Sequence, residues 1–127
     1  MFRLSTNKKR KDNIMKQTIS QTLRALGITA NYRGYRQLCV AVKLVVLDED
    51  ATISVKKNVY IPTAEILHCN HQTIERNIRT VIDRVWRMNR PYLSEMAGYP
   101  LDDPPTATEF IDMIANHVRC TCGINVT

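Results

Sequence analysis

No stretch of this chain approaches the roughly 20 consecutive apolar residues that a membrane-crossing helix needs. The basic N-terminus is not followed by the apolar core of about 7–15 residues that marks a secretory signal. These two absences place the protein in the cytoplasm, with no membrane partner. The chain also lacks a glycine-rich loop that would cradle a phosphate, and it lacks the paired histidines of a metalloprotease helix. Internal repeats and low-complexity tracts are absent too. Cys69, beside His68 and His71, resembles a Cys-His nucleophile site in composition alone. No catalytic residue is therefore assigned, and the chain is not read as an enzyme.

Four cysteines are present: Cys39, Cys69, Cys120 and Cys122. Without a secretory signal they read as reduced thiols and not as a disulfide framework. His117, Cys120 and Cys122 form one His/Cys cluster, and His68, Cys69 and His71 form another. Neither has the Cys-x-x-Cys spacing of a common structural zinc site, which needs about four ligands meeting at one point. No metal or cofactor is expected.

What remains is a chain of 127 residues, enough for one domain with one core. Its net charge is +6 and its pI is near 9.4. The excess is uneven. Residues 1–16 hold Arg3, Lys8, Lys9, Arg10, Lys11 and Lys16 against Asp12 alone. Residues 1–13 lack periodicity and read as a flexible basic arm, and 14–127 as the folded domain. A basic arm suits a polyanion such as nucleic acid, or it is a solubilising segment.

Helical periodicity dominates the rest. Met15, Ile19, Leu23 and Leu26 share one face, and Gly27 is a suitable C-cap. Tyr35, Leu38, Val42, Val45 and Val46 give a second, nearly all-round apolar helix, which places it centrally. Residues 51–61 read as a short hairpin arm or an extended loop. Pro62 fits the first turn of a helix over about 62–68. Cys69 and Asn70 make the following turn, and Asn70 can cap the next helix, over about 71–87. A short helix can precede Gly98. Thr106 and Glu109 have capping-box spacing before Phe110, Ile111, Ile114 and Val118. The fold class is all-α, a compact bundle containing a helix-turn-helix.

In a helix-turn-helix the second helix enters the major groove, with its N-terminal residues toward base edges. At about 100° per residue, Ile74, Ile78, Val81, Ile82 and Val85 occupy one arc of helix 71–87. Gln72, Arg76, Arg79 and Asp83 fall opposite, within a stripe about 60° wide, flanked by Thr73 and Thr80. Arginine pairs bidentately with guanine and glutamine with adenine. Glu75 suits a cytosine amino group, or it buttresses Arg79 one turn away. Arg79 in turn is a base reader, or the partner of Glu75 or Asp83. Pattern alone leaves open an ordinary solvated helix face. Trp86 reads as core, not as a base-stacking residue.

Three separate segments carry a resemblance. They are "LGITANYRGYRQLCVAVKLV", "IERNIRTVIDRVW" and "AGYPLDDPPTATEFIDMIANHVR". Over about residues 18–119 the chain resembles the C-terminal DNA-binding domain of the stage 0 sporulation protein A family. Gly34, Tyr35, Ile74, Glu75, Arg76, Ile78, Arg79, Trp86, Gly98, Tyr99, Thr106, Glu109, Phe110 and Ile111 stand on the family's motif positions. The resemblance implies about six helices and transcription control through a short element of double-stranded DNA. It also implies two domains head to tail on adjacent sites, and an approach to the polymerase sigma factor by the segment after helix 71–87.

On this reading Arg76 and Arg79 read bases, while Gln72, Thr73 and Glu75 tune the site. His71, Asn77, Thr80, Lys8, Lys9, Arg10 and Lys11 are candidates for phosphate. The family usually has arginine where this chain has Thr73, and a small polar residue at Gln72, so a different DNA sequence preference is expected. Family members usually carry an N-terminal receiver domain. Here a basic arm stands ahead of the fold, so the chain reads as a free-standing effector or a fragment. The alternative function is a protein-interaction module of the same fold, which modulates a full-length regulator or RNA polymerase without DNA specificity of its own.

Overall fold

Aliphatic stripes at helical spacing decide the architecture, because each must be buried against another. The computed structural model describes the backbone of residues 2–123 and the side chains of residues 10–123. Five α-helices occur among the described residues: α1 (Phe2–Ala25), α2 (Tyr35–Leu47), α3 (Ile61–Leu67), α4 (His71–Ala97) and α5 (Ala107–Cys122). Asn89 interrupts α4 with non-helical dihedrals (φ −146°, ψ 39°), so six helical segments result. The described residues contain no strand.

The core is one cluster. Met15, Ile19 and Leu23 of α1, with Leu26 just after it, meet Leu38, Val42, Val45 and Val46 of α2 and Phe110, Ile111, Ile114 and Val118 of α5, all buried. The apolar α2 is central and packs most extensively on α5, as its sequence demands. Gly27 ends α1 in the left-handed region at φ 92°, where a side chain would be strained. Asn89 donates its amide to the Ala25 carbonyl at the same helix end, at 3.1 Å.

Two expectations need correction. The backbone of residues 2–13, which lack periodicity in the sequence, is helical, because α1 runs back to Phe2. No proline or glycine interrupts 2–25, and lysine, arginine, methionine and glutamine lose little rotamer freedom in a helix. Periodicity reports burial: residues 10–14 are not buried, and Met15 is the first buried residue among the described side chains. The second correction concerns 51–61, which is neither hairpin nor extended loop. A 3-10 turn (Glu49–Ser54) leads to a π turn (Lys56–Tyr60) that continues into α3. Asp48 starts it by accepting from the Asp50 backbone N–H at 3.1 Å. Ala51, Val59 and Tyr60 are buried on the core side, and this tertiary gain overrides the strand preference of the β-branched residues.

Other local readings hold. Pro62 lies in the first turn of α3. Asn70 Oδ1 accepts from the Gln72 N–H at 2.8 Å, capping α4. Thr106 and Glu109 exchange side-chain-to-backbone bonds of 3.1 Å each, a complete capping box. Pro91 explains the break in α4: it offers no N–H, and its ring collides with the carbonyl four residues earlier.

One buried cation was not foreseen. Arg119 is 7% exposed, and its guanidinium donates to the Val45 and Val46 carbonyls at the C-terminal end of α2. The helix end concentrates partial negative charge there, so the arginine is satisfied without a carboxylate.

Candidate nucleic-acid interface

The helix pair is built by its turn. His68 adopts the left-handed conformation (φ 54°, ψ 49°), the Cys69 N–H bonds to the Ala64 carbonyl at 3.0 Å, and Asn70 opens α4. Ile74, Ile78, Val81, Ile82 and Val85 are buried and pin one face of α4 to the core. Helical geometry then forces the opposite face outward. Gln72, Arg76, Arg79, Thr80 and Asp83 are all exposed there, and with Glu75 they line one shallow concavity of about 550 Å³.

The candidate residues are not equivalent within that face. Arg76 is exposed and makes no ion pair among the described residues. Arg79 is 71% exposed but donates to Glu75 at 2.8 Å, while Asp83 pairs with Arg87 at 3.2 Å. Glu75 and Arg79 also flank buried Tyr60. Its phenol is pushed above the ordinary value by burial, then by the Glu75 charge, with Arg79 opposing. Thr73 and His71 are half-buried, and His71 Nδ1 is buried with no hydrogen-bond partner among the described residues.

Two phosphate candidates have their polar groups engaged elsewhere. Asn77 donates to Gln37 of α2 at 3.1 Å, and Thr80 donates to the Arg76 carbonyl at 3.0 Å. Arg10 and Lys11 are exposed on α1, whereas the side chains of Lys8 and Lys9 lie outside the described residues. Trp86 is half-buried against the core, and Arg90 covers its outer face, 3.9 Å from the ring centroid.

Residues 19–118 match the family model described as "Sporulation initiation factor Spo0A C terminal". The chain belongs to that family. Its domain is the DNA-binding effector of a sporulation regulator, which makes double-stranded DNA the partner class. It is not an enzyme family. No helix among the described residues is long and apolar enough to cross a membrane. All four cysteines are free thiols, and no three His, Cys, Asp or Glu side chains converge among the described residues.

Sequence reasoning missed Arg33 and Arg84, which flank the α4 face on the α2 side. Arg84 carried a weak signal: it stands eight residues after Arg76 and about 80° around the helix, beyond Thr80 at the edge of the polar face. Arg33 carried none, because the loop before α2 meets α4 only in the folded chain.

Proposed function

We propose that the chain is a sequence-specific DNA-binding transcription regulator that reads the major groove with α4. The supporting observation is the exposure of Gln72, Arg76 and Arg79 on the face opposite the buried Ile74, Ile78, Val81, Ile82 and Val85. Arg76, without a carboxylate partner among the described residues, is the principal base reader. Arg79 reads a second base once it leaves Glu75. Gln72, Thr73 and Glu75 set the neighbouring positions. His71 and the cations Lys8, Lys9, Arg10 and Lys11 of residues 1–13 take phosphates. Asn77 and Thr80 join them only by giving up the bonds to Gln37 and to the Arg76 carbonyl.

Two copies bind adjacent sites head to tail, and residues 87–99, which follow the expected reading helix 71–87, face the polymerase sigma factor. The protein acts on DNA in the cytoplasm. In-vitro selection of bound duplex with the purified full chain, at stated salt, tests the reading. Enrichment of one sequence supports it. Recovery of no sequence, together with co-purification of a full-length regulator or polymerase, replaces it with the interaction-module reading.

A further inference from the structure

A groove of about 480 Å³ lies beside the α4 face, between the loop ahead of α2 and the middle of α4. Asn31, Tyr32 and Arg33 line it from the loop, and Thr80 and Arg84 from α4. Among the described residues it carries two arginines and no carboxylate. The concavity over Gln72–Asp83 is different, since Arg76 and Arg79 are balanced there by Glu75 and Asp83. Arg33 and Arg84 are exposed, and neither makes an ion pair among the described residues. Arg84 is nevertheless held in place, because its guanidinium lies over the Tyr32 ring, 5.4 Å from the centroid. A cation stacked on an aromatic face keeps its N–H edge free for an anion.

Position gives this groove a partner. Thr80 lines both concavities, so the two are neighbours on α4. Arg84 follows Arg76 by eight residues, about 12 Å along the helix axis and about 80° around it. The major groove is itself about 12 Å wide. With Arg76 toward the base edges, Arg84 and Arg33 then fall at the groove wall, where the phosphates are.

We infer that Arg33 and Arg84 form a sequence-independent clamp on the DNA sugar-phosphate backbone, on the α2 side of the reading helix. The clamp rests on the reading of α4 as a major-groove helix. It fixes the register in which Arg76 meets its base, and it carries no base preference.

The test uses the full chain with the duplex enriched by selection and a scrambled duplex of equal length, titrated over a range of salt. Arg33→Gln and Arg84→Gln each weaken both duplexes by the same factor. That factor is about five-fold at 0.15 M salt, and the slope of log affinity against log salt falls by about 0.9 per lost contact. Arg84→Lys keeps the slope, because the charge remains. Tyr32→Leu keeps it too, which separates loss of the stack from loss of the contact. Thermal melts of each variant identify any that fail to fold. Unchanged affinity and slope in both glutamine variants, while Arg76→Ala still abolishes sequence preference, overturns the clamp and leaves the major-groove reading intact. The groove is then free for an acidic protein partner. A wild-type chain that binds neither duplex overturns both.

Discussion

Arg79 and Glu75 lie one helical turn apart on the exposed face of α4, joined by a 2.8 Å ion pair. The pair limits what Arg79 can do in the free protein. One branch of its fork is engaged, and bidentate reading of guanine needs the whole edge. The pair is weak, however. An exposed i,i+4 pair contributes about 0.2–0.5 kcal/mol, whereas a good bidentate base contact discriminates by about 1–3 kcal/mol. Glu75 therefore steers Arg79 without locking it.

That inequality predicts the behaviour of Glu75→Gln. Urea unfolding is expected to move by no more than about 0.5 kcal/mol. The DNA sequence recovered by selection is expected to change at the positions under Arg79 and Glu75 while keeping the position read by Arg76. An unchanged selected sequence would remove Glu75 from the recognition surface.

Arg76 has no such counterweight among the described residues. Arg76→Ala is expected to cost about 1–3 kcal/mol on the selected duplex and little on scrambled DNA. Equilibrium titrations on both duplexes measure this. Equal losses on the two would make Arg76 a phosphate contact instead.

Much of this surface was legible before folding. The apolar set from Ile74 to Val85 reports its own burial through its period, so the outward direction of Arg76 follows. Asn70, Pro62 and the Thr106–Glu109 pair are local, and their partners lie within a few residues. What was not legible depends on distant partners. The turns over 49–60 form because Ala51, Val59 and Tyr60 find the core, against their strand-like pattern. Arg119 bonds to main-chain carbonyls 73 and 74 residues away, which no sequence pattern advertises. Arg33 and Arg84 converge only because α2 docks on α4.

Tyr60 supplies an alkaline dependence. Burial and the Glu75 charge raise its folded pKa above the ordinary value of 10.0, despite Arg79. The folded state then holds the phenol proton where the unfolded chain has released it. The stabilisation is complete below the unfolded pKa and is lost as pH rises through the folded one. Burial raises Cys39 in the same sense above 9.0, partly offset by its hydrogen bond with Tyr35. Stability is thus expected to decline from about pH 9 upward, and Tyr60→Phe is expected to flatten the part of that decline above pH 10. Urea midpoints from pH 8 to 11 measure it. A Tyr60→Phe profile superimposable on wild type would contradict this assignment.

Arg119→Ala is expected to be among the most damaging single changes at a polar position. It strips the α2 C-terminus of two charge-assisted bonds; the Val46 carbonyl loses its side-chain donor, and the Val45 carbonyl keeps only the 3.3 Å bond from the Asp48 N–H. Such bonds are worth about 1.5–3 kcal/mol each and are less than additive when shared, so a loss of about 2–4 kcal/mol is expected. Arg119→Lys recovers only part of it, because one ammonium cannot reproduce the fork. Chemical denaturation of the three proteins ranks them.

Gly34 joins packing to recognition. Its φ of −79° is open to any residue, so its requirement is steric and not conformational. A Cβ there would lie 3.0 Å from Val81 Cγ2 and 3.2 Å from the Asn77 carbonyl oxygen of α4. Val81 is buried and the carbonyl belongs to a helix, so neither yields freely. Gly34→Ala is expected to destabilise by about 1–3 kcal/mol, the usual range for overpacking. It is also expected to displace the loop carrying Arg33 from α4. Affinity for scrambled and selected duplexes then falls together, whereas Arg76→Ala spares the scrambled one. Retained wild-type stability would show that the α2–α4 contact has slack. Retained stability with reduced DNA affinity would show that the close approach matters to the interface alone.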